Sequence, residues 1–212
     1  MTTKSVLVIL LSVFVFSCNK SDDSDPVANL SDSGSISGEN YVVPSEAYLF
    51  DANLELYNFT PTLEDKINRA IEVIKLVVAT EEFKRQVLNH TYAGRRTYVD
   101  NGGYSNSQIY QIIMDGAEKL QPVKNHAIDA EVEAYTNLNS NTVGYTYADS
   151  KRIWVNTKYY DRYSAAGVAQ NVFHEWLHKL GFKHAASYTP SRDYSVPYAI
   201  GDMIGEIGKN FL

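Results

Sequence analysis

The sequence predicts an α+β domain in which helices pack on a small sheet that is mainly antiparallel or mixed. Apolar residues recur at helical spacing in the first half of the chain, the pattern changes to alternation between residues 132 and 157, and helical spacing returns near residue 164. With 212 residues and 44% hydrophobic composition, the chain is long enough for one domain with a core. Helices, then a small sheet, then another helix are typical of this fold class.

The first seventeen residues predict a signal peptide, residues 1–17. Lys4 precedes an apolar run that is too short to span a membrane as a stable helix. The run ends in a sequence that resembles a bacterial lipobox, Val15-Phe16-Ser17-Cys18, and Cys18 is the only cysteine of the chain. Lipidation at Cys18 is therefore predicted. The alternative is a plain secretory peptide followed by an incidental free thiol.

Residues 18–40 are predicted to be the lipidated cysteine and a disordered tether, because they are rich in Ser, Asp, Gly and Asn and lack apolar periodicity. An anchor and a tether together predict an exported bacterial lipoprotein at the outer membrane or the cell surface. The net charge of −6 argues against nucleic acid as a partner. A single domain is predicted over residues 41–212, and its first part, Tyr41 to Phe59, is either an arm lying against the domain or a pro-segment.

Start signals and apolar spacing place the elements of this domain. Three helices are predicted first: one from Thr62 to Thr80, one over residues 81–89, and one that starts at a Ser105–Gln108 capping box and extends to Leu120. Strands are then predicted over residues 132–136, 143–148 and 152–157. The last two strands are separated by three residues, a gap of hairpin length.

The helix that begins near Ser164 carries the pattern HExxHxxGxxH. His174 and His178 are four residues apart, so they lie on one face of the helix and can bind the same metal ion. Glu175 is one step round the helix, within reach of a water on that metal. Gly181 can adopt the left-handed conformation that ends a helix, which brings His184 back as a third ligand. Three histidines leave one tetrahedral position open, which is typical of catalytic zinc.

This motif resembles the signature of the metzincin zinc endopeptidases. The resemblance implies that His174, His178 and His184 bind Zn²⁺, that Glu175 is the general base, and that Met203 forms the turn beneath the metal. It also implies that a strand preceding the site helix holds a peptide or protein substrate in extended form, for which Val143 to Ala148 and Arg152 to Tyr159 are the candidates. No tyrosine follows two residues after Met203, so the candidates for a transition-state tyrosine are Tyr194 and Tyr198.

Several alternatives remain open from the sequence. Glu206 or Asp202 could replace His184 as the third ligand, as in zinc hydrolases that take this ligand from a following helix. The predicted function is zinc-dependent hydrolysis of peptide bonds by a membrane-anchored endopeptidase. The alternatives are a non-catalytic surface binding module that keeps zinc for stability, and a zinc amidase acting on cell-wall peptide. His90 and His126 are expected to be ordinary surface residues.

Overall fold

A computed structural model describes residues 50–212 and the backbone of residues 15–19, and the described chain has an α+β fold with six α-helices and a mixed sheet. The predicted fold class is thereby confirmed at this level. The elements are β1 (Val15–Asn19), β2 (Asp51–Tyr57), α1 (Pro61–Val78), α2 (Glu81–Asn89), α3 (Asn106–Asp115), β3 (Ala127–Tyr135), β4 (Thr142–Tyr147), β5 (Arg152–Asn156), α4 (Thr157–Tyr160), α5 (Ala165–Lys179) and α6 (Val196–Gly208).

The sheet has the strand order β1-β4-β5-β3-β2. Strands β2, β3 and β5 are parallel, whereas β4 is antiparallel to β5 and β1 is antiparallel to β4. Within residues 50–212, β4 is therefore the edge strand on one side and β2 is the edge strand on the other. The β4–β5 hairpin is confirmed, and the sheet is mixed rather than mainly antiparallel.

Capping side chains determine where the first helices begin. The N-cap of α1 is Thr60, whose hydroxyl accepts from the Leu63 amide at 3.3 Å, so the predicted start at Thr62 is wrong. Pro61 explains the shift, since its fixed φ is preorganised for the first helical position. The predicted bounds of α2 and the capping box at Ser105 are both confirmed. Helix α3 ends at the left-handed Gly116, so Leu120 is not part of it.

One apolar core joins the helices to the inner face of the sheet. Helix α5 packs against α1, α6, β4 and β5, and every residue from Asn171 to Leu180 is buried. A helix that is buried on all sides needs a nearly continuous apolar surround, and its few polar residues must therefore bond to protein groups or bind a ligand. The polar residues of α5 include the predicted site.

Part of the predicted arm or pro-segment belongs to the sheet. Residues 51–57 form β2, which runs parallel to β3 over its whole length, and Phe50 is buried in the core. Residues 41–49 lie outside the described residues, as do the predicted signal peptide (1–17) and tether (18–40) except at residues 15–19. In the part of the chain that the structure describes, the helices are too short or too polar to cross a membrane.

Candidate metal centre

The helix that carries the site, α5, begins and ends at well-formed caps. Ser164 is its N-cap, with the hydroxyl accepting from the Gly167 amide, as predicted. At its C-terminus, the Gly181 amide donates to the His178 carbonyl and the Phe182 amide donates to the Leu177 carbonyl. These two bonds form a Schellman motif, which requires a left-handed residue after the last turn. Gly181 has φ +100°, so the chain reverses there as predicted.

The reversal brings His184 back to the two histidines of the helix. His174, His178 and His184 each offer one ring nitrogen, and these three atoms lie within 4.8 Å of one another. The Nε2 atoms of His174 and His184 are 3.3 Å apart. Two imidazole ligands at about 2.0–2.1 Å from a tetrahedral zinc would be roughly 3.3–3.4 Å apart. The donor set and the spacing therefore fit a zinc ion.

Backbone carbonyls orient each imidazole of this histidine triad. His178 Nδ1 donates to the Phe182 carbonyl at 2.8 Å, and His184 Nδ1 donates to the Ala185 carbonyl at 2.9 Å. His174 bonds to the Pro197 carbonyl in the first turn of α6. A carbonyl can only accept, so the Nδ1 atoms of His178 and His184 carry the protons and their Nε2 atoms are the unprotonated ones that a metal would bind.

The triad is neutral at physiological pH. Burial lowers the pKa of all three imidazoles, to about 3 for His178 and about 4 for His184. Repulsion from the other imidazoles also lowers the pKa of His174 and His178, and the charge of Arg192 lowers that of His184. A metal binds only the deprotonated ring, so protons compete weakly for these nitrogens above about pH 5. Buried neutral imidazoles that converge on one point are thus ready to accept a cation.

Glu175 is fully buried beside the triad, and neither of its carboxylate oxygens has a hydrogen-bond partner among the described residues. Burial raises the pKa of Glu175 well above its usual value, and the positive charge of Lys179 acts in the opposite direction. Leaving a buried carboxyl group without a partner costs about 1–3 kcal/mol or more. Buried polar groups of this kind are rare, and a catalytic role is one physical reason to retain one.

Lys179 is a buried cation that ties the β4–β5 hairpin to α5. Its ammonium donates to the carbonyls of Ser150 at 2.6 Å, Arg152 at 2.8 Å and Tyr147 at 3.4 Å. Burial lowers the pKa of Lys179 to about 8, while the charge of Glu175 opposes that shift. The three carbonyls favour the charged form of Lys179. These bonds give the carbonyls of the β4–β5 turn a hydrogen-bond donor and place a positive charge one helical turn after Glu175.

Tyr198 forms a wall of the triad, whereas Tyr194 does not. The Tyr198 ring centroid lies 4.6 Å from that of His174 and 4.7 Å from that of His184. The guanidinium of the buried Arg192 lies over the Tyr198 ring, 4.5 Å from its centroid. Tyr194 is 44% exposed and packs instead against Tyr92 and His90. Of the two predicted tyrosines, only Tyr198 is brought to the site.

The Met-turn prediction is wrong at the level of local structure. Met203 lies inside the 13-residue helix α6 and packs, half-buried, against the core. The contact beneath His174 is made by Gly201, where a Cβ would lie 3.3 Å from the His174 Cβ. Tyr198 and the backbone of α6 therefore occupy the surroundings that the prediction assigned to Met203.

The carboxylates proposed as alternative ligands are engaged elsewhere. Asp202 is exposed and accepts from Gln170 at 2.6 Å, and Glu206 is exposed and pairs with Lys209 at 2.7 Å. Among the described residues, the three histidines are the one group of three or more potential metal ligands. His90 stacks on Tyr98 with a centroid distance of 4.0 Å and lies outside this group, as does the exposed His126.

Four residues of the site were not predicted from the sequence: Gly144, Asn171, Lys179 and Arg192. The polar residues among them are buried, at 5% exposure for Asn171, 6% for Lys179 and 3% for Arg192. Two of these residues could have been found from the sequence, since Asn171 and Lys179 are polar and lie one turn before and one turn after Glu175 on a helix otherwise predicted to be core.

Comparisons with protein-family models, curated proteins and solved structures found no match to this chain.

Proposed function

We propose that the protein is a zinc-dependent endopeptidase with a metzincin-like site. The observation that carries the proposal is the buried carboxylate of Glu175, which has no hydrogen-bond partner among the described residues and follows His174, one of three converging neutral imidazoles. His174, His178 and His184 would hold the metal and leave its fourth position open. When bound in such a site, zinc polarises a carbonyl oxygen and lowers the pKa of a water to about 7.

Glu175 would act as the general base and then as the general acid. A carboxyl oxygen of Glu175 takes the proton from the attacking water and later delivers it to the leaving amine. Burial raises the pKa of Glu175, which makes its carboxylate a stronger proton acceptor than an exposed one. Lys179 limits this rise and so helps to keep the carboxyl group able to ionise. Tyr198, whose ring packs against His174 and His184, would be the tyrosine that donates to the developing oxyanion.

The edge of β4 is the proposed binding surface for an extended peptide. Of the two strands suggested by the sequence, β5 is flanked by β3 and β4, whereas β4 is the edge strand within residues 50–212. The chain segment Val15–Asn19 pairs antiparallel with β4 at this edge. The backbone groups of β4 are therefore able to pair with an added strand. A peptide added there would pass the carboxylate of Glu175, which lies against Gly144 of the same strand.

Glu175 also favours an enzyme over a zinc-containing binding module. A metal kept for stability alone does not need a buried carboxylate that is neither a ligand nor hydrogen-bonded, and such a group lowers stability.

A zinc amidase acting on cell-wall peptide would use the same residues as an endopeptidase. Comparing the cleavage of linear peptides with that of cell-wall peptides distinguishes these two enzymes. The test is a mixed peptide library: cleavage that persists after complete zinc removal would exclude the proposed mechanism.

We also propose that the protein is exported and anchored through lipid at Cys18. The support is the apolar leader and the lipobox-like sequence before Cys18. Cleavage before Cys18 would also remove most of β1, and so would expose the edge of β4 that the peptide is proposed to use.

Replacing Cys18 by Ala is expected to abolish labelling of the protein by a radioactive fatty acid, because the thiol that carries the lipid is lost. Zinc content is expected to stay unchanged, since the triad lies more than 150 residues further along the chain. Labelling is measured in cells that express the wild-type chain or the Cys18→Ala variant at equal levels. Equal labelling of the two would remove the lipoprotein proposal and favour a plain secretory peptide.

A further inference from the structure

Gly144 is the point at which β4 comes closest to the site helix. It pairs with Val155 of β5 and faces α5. A Cβ at this position would lie 2.7 Å from Asn171 Oδ1, 3.2 Å from the Trp154 carbonyl oxygen and 3.3 Å from Glu175 Oε1. Its φ lies outside the left-handed region, so the backbone conformation alone does not require glycine. The space is what requires it, because two polar side chains of α5 and the Trp154 carbonyl already occupy the volume that a methyl group would need.

The two side chains in this space are held differently. Asn171 is fixed, because its Oδ1 accepts from the hydroxyl of the buried Tyr160 at 3.0 Å. Glu175 has no hydrogen bond among the described residues, so packing and the charge of Lys179, without a directional bond, determine where its carboxylate lies. Asn171 and Glu175 are four residues apart and so project from the same face of α5. The Glu175 carboxylate can therefore extend beneath β4 only as far as the space beside Gly144 allows.

We propose that Gly144 is a positioning residue for Glu175: its missing side chain leaves the space in which the carboxylate is held between β4 and the metal centre. This inference rests on the proposed function, because it concerns the base of that reaction. A base that is displaced by a fraction of an ångström loses alignment with the proton it must accept, and a displacement of 1 Å can cost about a hundredfold in rate.

The test is the full chain with Gly144→Ala, with and without Asn171→Ala. Gly144→Ala is expected to lower kcat about tenfold with little change in KM, and also to lower the melting temperature. Adding Asn171→Ala removes the closest clash, so Gly144→Ala should lower the melting temperature less in the Asn171→Ala background than in the wild type. The contact with Glu175 remains, so kcat of the double variant should stay about tenfold below that of Asn171→Ala alone. Zinc content should be unchanged throughout.

Gly167→Ala, in the site helix α5, is the control for a glycine-to-alanine substitution near the site. A Cβ at Gly167 would meet Tyr163 at 3.4 Å, which is an ordinary contact, so kcat and zinc content should equal those of the wild type. Recovery of kcat together with the melting temperature in the double variant would overturn the positioning role, because Gly144 would then matter only for packing. If Gly144→Ala does not fold, the double variant and Asn171→Ala give the same comparison.

The cobalt-substituted protein gives a readout that does not depend on cleavage. The pH midpoint of its visible spectrum responds to a carboxylate beside the metal, so Glu175→Gln and Gly144→Ala should shift it in the same direction. A shift in both variants with no cleavage by wild type would keep the inference and exclude the proposed function. Cleavage by wild type with unchanged kcat and midpoint in Gly144→Ala would keep the proposed function and exclude the inference.

Discussion

Replacing Glu175 by Gln is expected to leave the protein folded and metal-loaded while lowering kcat for peptide cleavage by about 10² to 10⁴. Glutamine keeps the size of the side chain but cannot accept a proton from the attacking water. General acid–base catalysis is typically worth this factor, which corresponds to roughly 3 to 5 kcal/mol of transition-state stabilisation. The measurement is kcat on a good peptide substrate, with zinc content and melting temperature determined on the same sample.

The same substitution is expected to keep or raise the melting temperature. Glu175 is fully buried and has no hydrogen-bond partner among the described residues, so a neutral amide costs less to bury than a carboxyl group that can ionise. Activity and stability should therefore move in opposite directions, as is common when a functional group is removed. Wild-type kcat in the glutamine variant would show that Glu175 is not the base.

Replacing His178 by Ala is expected to remove zinc and cleavage together. Loss of residues that merely orient a ligand costs 10- to 100-fold in metal affinity, so loss of a ligand should cost more than about 100-fold. Added zinc should raise the melting temperature of the wild type but not of this variant, because only the wild type binds the metal in its folded state. Zinc affinity and thermal unfolding, each with and without metal, measure this effect.

His126→Asn is the matched control for the loss of a histidine. His126 is exposed, lies outside the triad and has φ +57°, a conformation that asparagine tolerates better than alanine. This control should bind zinc and cleave peptide as the wild type does. A His178→Ala variant that binds zinc as tightly as the control would mean that the metal, if one is bound, lies at another site.

The site helix was largely predictable because its signals are local. The Ser164 cap, the spacing of His174 and His178, and the reversal at Gly181 each depend on a few neighbouring residues. The convergence of His184 follows from that reversal. The carbonyls that orient the imidazoles, at Phe182, Ala185 and Pro197, are backbone groups, so no residue type in the sequence could identify them.

Helix α6 was not predicted, and its glycines explain why. Gly201, Gly205 and Gly208 have low helix propensity, and together with Pro197 they indicate a loop. In the structure these glycines lie where α6 packs closely: a Cβ at Gly205 would lie 2.7 Å from Gln170, and one at Gly208 would lie 2.6 Å from Val73. Tertiary packing thus overrides local propensity in α6. Met203 was placed in a turn for a different reason, because the resemblance to the metzincins implied a Met-turn there.

The pairing of strands that are distant in the sequence was also not predicted. Strand β2 pairs in parallel with β3, which follows it by about seventy residues, and no local pattern indicates that partner. The first residues of β3, Ala127 to Ala130, were missed because alanine has low strand propensity. The role of Gly144 could not be predicted from the sequence, because it depends on Asn171 and Glu175 of α5, which are 27 and 31 residues away along the chain.

The most direct test of the account measures zinc and cleavage on one preparation of the wild-type protein. We expect about one zinc per chain, hydrolysis of peptide bonds in a mixed library, loss of that activity when a chelator removes the metal, and its return on addition of Zn²⁺. A protein that holds zinc at this stoichiometry but cleaves no peptide in the library would contradict the account and favour a binding module.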